Sequence, residues 1–126
     1  MNNIGEMNKM IKTIVSVVLM MSAPLAFACD YPSAPKSLPN GATASKDEML
    51  AGVKLIAEYQ ESMATYLSCI EAEEVVSMQS LADDDEDGKK QRKIMFDKKY
   101  NAAVDEQTRT VERFNVEIRA YKAKQD

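Results

Sequence analysis

The chain has 126 residues, with 16 Lys and Arg against 20 Asp and Glu, for a net charge of −4. That length allows one domain. It contains no histidine and no tryptophan. The missing histidine excludes His-ligated zinc or haem, the Ser-His-Asp triad and the commonest general base. The acidic balance argues against a dedicated nucleic-acid binder, whose footprint is normally basic.

Residues 1–28 read as an export address. Lys9 and Lys12 precede the apolar run Ile14 to Met21, and Pro24 leads into Ala26-Phe27-Ala28. Charged segment, apolar segment and small-residue cleavage site come in the order of a signal peptide. The apolar run is too short for a comfortable span, which needs about 20 residues. Cleavage after Ala28 leaves a periplasmic or secreted chain from Cys29 to Asp126, with no stable membrane insertion. Met1, Met7 and Met10 are all possible starts, since residues 1–6 add nothing a signal needs. Cys29 directly after the cleavage point raises lipidation. The lipid-attachment pattern wants an aliphatic residue three positions before the cysteine, and this chain has Ala26 there and bulky Phe27 next.

Residues 29–44 carry Pro32, Pro35, Pro39 and Gly41, a spacing that forbids a helix and favours an extended tail. Ser45-Lys46-Asp47-Glu48 then forms a capping box, with Ser at the N-cap and Glu at the third helical position. The spacing predicts a helix over 46–81. Met49, Val53, Ile56, Met63, Leu67 and Ile70 make its apolar face, bordered by Gly52, Tyr59 and Tyr66. The run Asp83-Asp84-Asp85-Glu86-Asp87-Gly88 breaks the pattern. A second helix is expected over 89–122, with Phe96, Tyr100, Ala103, Gln107, Val111, Phe114, Ile118 and Tyr121 on one face. A short connection makes the two helices antiparallel. The expected fold is all-α, a coiled-coil-like antiparallel two-helix hairpin over 45–126 behind the Pro-rich tail. Net charge is −5 over residues 29–82 and +5 over 88–126, which suits helix one lying against helix two.

The acidic loop invites a calcium reading. Asp83-x-Asp85-x-Asp87-Gly88 matches the first half of an EF-hand loop. Position 12 of that loop needs a bidentate Glu, and Ile94 stands there; the hydrophobic eighth position is Lys90. Negative charge is also favourable at a helix N-terminus in its own right. Asp83, Asp85 and Asp87 are therefore weak metal candidates, and no cofactor is expected. Catalytic machinery is not visible. Cys69 has no His partner, no G-x-S-x-G elbow occurs, and Glu73 and Glu74 read as a solvated face. The basic cluster Lys89, Lys90, Arg92, Lys93, Lys98 and Lys99 lacks interleaved stacking aromatics beyond Phe96 and Tyr100, which fit the core face.

Two cysteines remain after cleavage, and an exported chain matures under oxidising conditions. Cys69 lies roughly 36 Å along the first helix from Ser45. The 29–44 tail reaches about 50 Å when extended, so it can fold back to join Cys29 to Cys69. Its path would cross Leu55, Tyr59 and Tyr66 and cover apolar surface that the second helix does not reach. The alternatives are a lipidated Cys29 with a free Cys69 thiol, or a bond between chains.

Cys29, Pro39-Asn40-Gly41-Ala42, Ala44-Ser45, Met49, Tyr59 and Tyr66-Leu67-x-Cys69-Ile70-Glu71 together resemble a set of small exported bacterial helical proteins of uncharacterised function. The resemblance covers residues 29–74 and implies no activity and no catalytic residues. The functional expectation is a non-enzymatic exported protein acting as an interaction, scaffold or chaperone-like module of the cell envelope. Its partner would be an envelope protein, and a thin two-helix core also suggests a homodimer. The alternative is a divalent-cation-responsive binder using residues 83–87.

Overall fold

The structure is a computed structural model and describes residues 29–125; residues 1–28, on which the expected export signal falls, lie outside the described residues. It is all-helical, with α1 over Lys46–Gln79 and α2 over Glu86–Gln125 packed against each other as a hairpin behind an extended tail. By helical rise the two rods are about 51 Å and about 60 Å long.

The capping box at the start of α1 is formed. Glu48 N donates to Ser45 Oγ at 3.3 Å, and Ser45 N donates to Glu48 Oε2 at 2.6 Å. The two bonds satisfy backbone donors that a helix start otherwise leaves open. They also hold the Glu48 carboxyl below its ordinary value, with the bond from the Ser45 backbone as the larger cause. The other end of α1 stops at Gln79, two residues short of the expected 81. Ser80 takes over there: its N–H reaches Val76 O at 3.2 Å and its hydroxyl reaches Ser77 O at 2.7 Å.

The second helix begins at Glu86, not at Lys89, and runs to Gln125, beyond the expected 122. Asp85 explains the early start. Its Oδ1 accepts from Gly88 N at 2.9 Å while its carbonyl accepts from Lys89 N at 3.1 Å. Asp85 is thus the N-cap, and Glu86, Asp87 and Gly88 form the first turn. Acidic residues there meet the positive end of the helix dipole. The acidic run is half connection and half helix start.

The core runs along the facing surfaces. Met49, Gly52, Ile56, Tyr59, Met63, Tyr66 and Ile70 are buried on α1, and Ala103, Thr110 and Phe114 on α2. Val53 leaves the expected face; it is 49% exposed, and Tyr59 and Tyr66 lie inside instead. The buried stripe is rotated toward the side that the tail occupies. Thr110, fully buried, is a core residue that the apolar pattern missed.

Candidate functional site

The tail creates the most specific feature of the molecule, a strapped groove along the hairpin. At its far end Cys29 and Cys69 stand at disulfide distance, with Sγ atoms 2.03 Å apart and Cα atoms 5.8 Å apart. Tyr31 then meets Tyr66 edge-on at 4.9 Å between ring centroids. Pro32, Ser33 and Pro35 share a shallow hollow with Leu55, Glu58, Tyr59 and Ser62 of α1. Farther on, Pro35, Lys36 and Leu38 share another with Arg113, Val116 and Glu117 of α2. The tail therefore lies between both helices. The tail lies along Leu55, Tyr59 and Tyr66 as the sequence led one to expect, and α2 in addition walls the lower half of its path.

The near end is built to let the chain in closely. Asn40 O accepts from Thr43 N and Ala44 N at 3.1 and 2.7 Å, and Asn40 Oδ1 accepts from Ala42 N at 3.0 Å. That side-chain turn presents Gly41 N to Glu117 Oε2 at 2.7 Å. A Cβ on Gly41 would run into the Glu117 carbonyl, so glycine serves close approach here. Gly52 does the same on α1, where a Cβ would strike the Phe114 ring and Pro39. Lys124 Nζ closes the junction by donating to Ala44 O at 2.7 Å. Between the two anchors, residues 30–39 donate no hydrogen bond to another described residue. Contact area and the Cys pair hold that stretch.

The polar chemistry of the groove is sparse. The Tyr59 hydroxyl is buried and has no hydrogen-bond partner among the described residues. Burial pushes the phenol above its ordinary value, against a smaller downward pull from Thr110. The Thr110 hydroxyl instead accepts from Arg113 Nη2 at 3.3 Å. Burial, followed by Tyr59 and Glu106, also raises Tyr31.

The three acidic-loop candidates are not gathered to one point. Asp85 caps α2, Asp87 sits in its first exposed turn, and Asp83 lends its carbonyl to Lys89 Nζ at 2.5 Å. Among the described residues no group of three or more His, Cys, Asp or Glu side chains is placed to hold a metal ion. The basic cluster is largely paired. Arg92 reaches Glu74 at 3.0 Å, Lys99 reaches Glu73 at 3.5 Å and Lys93 reaches Asp97 at 2.9 Å. Only the first two of these pairs cross between helices, and both lie near the hairpin apex.

Sequence reasoning missed Gly41, Glu117 and Lys124 as the near anchor. Asn40-Gly41 was a visible turn signal, but nothing local names its partner on a helix 76 positions away. No protein-family model, no curated protein and no solved structure matches the chain. Among the described residues no helix is long and apolar enough to cross a membrane.

Proposed function

We propose that the chain is an exported, non-enzymatic interaction module of the cell envelope, of the scaffold or chaperone-like kind, working through the outer faces of its hairpin. The observation that carries this reading is apolar exposure on a stapled frame. Val76 is 66% and Met95 68% exposed near the apex, and Leu50 is 56% exposed near the base. A Cys pair that staples the frame suits an oxidising compartment, as does the export segment. Exposed apolar groups on small soluble chains are ordinary when single and informative when grouped.

Site-specific photo-crosslinking in intact cells tests this. A photoreactive residue at Met95 should trap a discrete envelope protein, and one at exposed Lys54 should not. Adducts absent from every apolar position would remove the reading. The cation-responsive alternative, through Asp83, Asp85 and Asp87, is separated by calorimetry. Heat with millimolar calcium that vanishes in Asp85→Asn and Asp87→Asn would replace the interaction reading with that one.

A further inference from the structure

The strap divides the hairpin into two unlike sides. On α1 the residues that meet the tail are Leu55, Glu58, Tyr59, Ser62, Tyr66 and Cys69. They fall on one side of the buried line Ile56-Met63-Ile70. By helical rotation of 100° per residue, Leu50, Val53, Ala57, Ala64 and Leu67 fall on the other side. Their spacings are 3, 4, 7 and 3, a second largely apolar stripe that exposed Gln60 interrupts. Leu67 is half-buried and the other four are exposed. On α2, Tyr100, Val104, Val111 and Ile118 occupy the corresponding side, all half-buried. Tyr100, Val111 and Ile118 pack against the core by one edge and leave the other edge open. The hairpin therefore has a strapped groove in front and an unstrapped apolar groove behind.

We propose that this back groove is the interface of a homodimer, in which two hairpins stack face to face as a four-helix bundle. Three observations select a second copy as the occupant. The first is layering. The hairpin register sets Gly52 opposite Phe114 and Glu73 opposite Lys99. The same register levels Leu50 with Ile118, Ala57 with Val111, Ala64 with Val104 and Leu67 with Tyr100. Small alanines on α1 thus stand level with larger residues on α2. Turned about a two-fold axis parallel to the helices, the copy lays its α2 across α1 and its α1 across α2. Each small residue then receives a large one from the partner, the interdigitation a bundle core requires.

The second observation is charge. α1 holds two basic and seven acidic residues, and α2 holds eleven basic and seven acidic. The parallel two-fold axis sets net-acidic α1 against net-basic α2 of the partner, although the same register also levels Lys46 with Lys122 of the second copy. An axis across the helices would set net-acidic on net-acidic and net-basic on net-basic, so the helix totals favour the parallel axis. It also makes every neighbouring helix pair antiparallel, the usual form of an up-and-down bundle.

The third observation is size. The stripe from Leu50 to Leu67 is about 26 Å long and two helices wide. Its plan area of about 500 Å² rises with side-chain relief toward the roughly 800 Å² per partner of a standard interface.

The proposal rests on the interaction reading above only in taking the hairpin's outer faces as working surfaces. The test is sedimentation equilibrium on the chain expressed from its full sequence and purified with the disulfide intact. Twice the chain mass at micromolar concentration is expected. Ala64→Glu places a charge in the centre of the back groove at an exposed position with good helix propensity, so each chain keeps its fold by circular dichroism. It should weaken the dimer at least 100-fold. Val76→Glu, on a different face of α1, should leave the dimer within threefold. A monomer at 100-fold higher concentration, or a dimer indifferent to Ala64→Glu, would overturn the proposal. So would photo-crosslinks from Ala57 and Ala64 that map to a different protein. A monomer that still forms an envelope adduct from Met95 would sink the dimer alone. A dimer with no such adduct would sink the envelope partner alone.

Discussion

The two ends of the hairpin are held together by different physics. At the base, three segments meet: the Asn40–Ala44 turn, the start of α1 and the end of α2. Ala44, Met49, Ile56 and Phe114 are buried there, and bonds from Gly41 N and Lys124 Nζ tie the turn down. At the apex only two helices remain. Beyond Ile70 on α1, and before Ala103 on α2, no described residue is buried. The crossing contacts there are Glu74–Arg92 and Glu73–Lys99, with Lys99 also 5.9 Å from the Tyr66 ring centroid. Two rods alone expose too much of their contact surface to build a dry core. Adding the tail makes a third wall, and the buried residues end roughly where the tail ends, at Cys29 and Cys69. Stability should therefore be graded along the rod, high at the base and low beyond the Cys pair.

The largest effect should come from cutting the strap. The 40-residue separation of Cys29 and Cys69 gives about 4 kcal/mol in the chain-entropy model. Cys69→Ser should lower the urea midpoint accordingly. It should also remove the tail's hold on Tyr59 and Tyr66, because residues 30–39 make no hydrogen bond to another described residue. Trypsin should then cut faster after Lys36, while hydrogen exchange shows the base turn still protected. Mass spectrometry of the unreduced protein should find one linked Cys29–Cys69 peptide. Two alkylatable thiols would refute the pairing outright.

The next test compares the two phenylalanines of α2. Phe114 is 2% exposed between Gly52 and the tail, whereas Phe96 is half-buried near the apex. Phe114→Ala should cost about 3 kcal/mol, toward the low end for a core ring because a core this thin admits water to the cavity. Phe96→Ala should cost less than half of that. Equal losses in denaturant titrations would mean that the gradient is absent.

Much of this architecture was legible in the residues. Ser45 and Glu48 announce the helix start because a capping box is purely local, and the loop is short enough to force antiparallel helices. The Cys29–Cys69 approach follows from reach along a helix of known rise. What was not legible depends on the third wall. Val53 and Tyr59 sit on opposite shoulders of one stripe, and periodicity alone cannot say which shoulder the tail will cover. Thr110 looks polar in sequence, yet it lies beneath Tyr59 where only the packed fold places it. The start of α2 was misplaced by three residues because an acidic run was read as helix-breaking, although Asp85 was itself the cap. No functional centre was legible, and the polar residues of the groove converge on none.

A smaller effect isolates the start of α1 at the base. Ser45→Ala removes the cap and should cost about 1 kcal/mol. The same site predicts a pH response. Glu48 has a carboxyl pKa below its ordinary 4.5. A depressed carboxyl stabilises the fold above the unfolded pKa and loses that stabilisation as pH falls through the folded one. The Glu48 contribution should thus be intact at neutral pH and fade below about pH 4.5. The Ser45→Ala penalty should persist at low pH, because the lost hydroxyl accepts from the Glu48 backbone N–H, whereas Glu48→Ala should destabilise at pH 7 and lose that penalty as the carboxyl protonates in acid. Thermal melts across the acid range check both, and a Glu48→Ala penalty unchanged by pH would disconnect the cap from the carboxyl.

The smallest effect belongs to the apex and probes the gradient most directly. Arg92→Ala deletes the shorter crossing ion pair, whose Glu74 side chain is only 16% exposed while Arg92 is 37% exposed. A pair in that setting contributes about 1 kcal/mol or less, and salt screens part of it. Global unfolding should barely register the change, because the apex opens before the base and its local contacts are already lost when the core gives way. Local opening should register it fully. Amide exchange in residues 71–79 and 86–95 should quicken in Arg92→Ala by up to about fivefold, a change that corresponds to about 1 kcal/mol. Residues 49–63 should be unaffected. Raising the salt concentration should quicken the apex amides of the wild-type chain and leave the variant nearly indifferent. Exchange that quickened evenly from apex to base would show instead that the hairpin opens as one unit, with the ion pair part of the same cooperative structure as Phe114 and Met63.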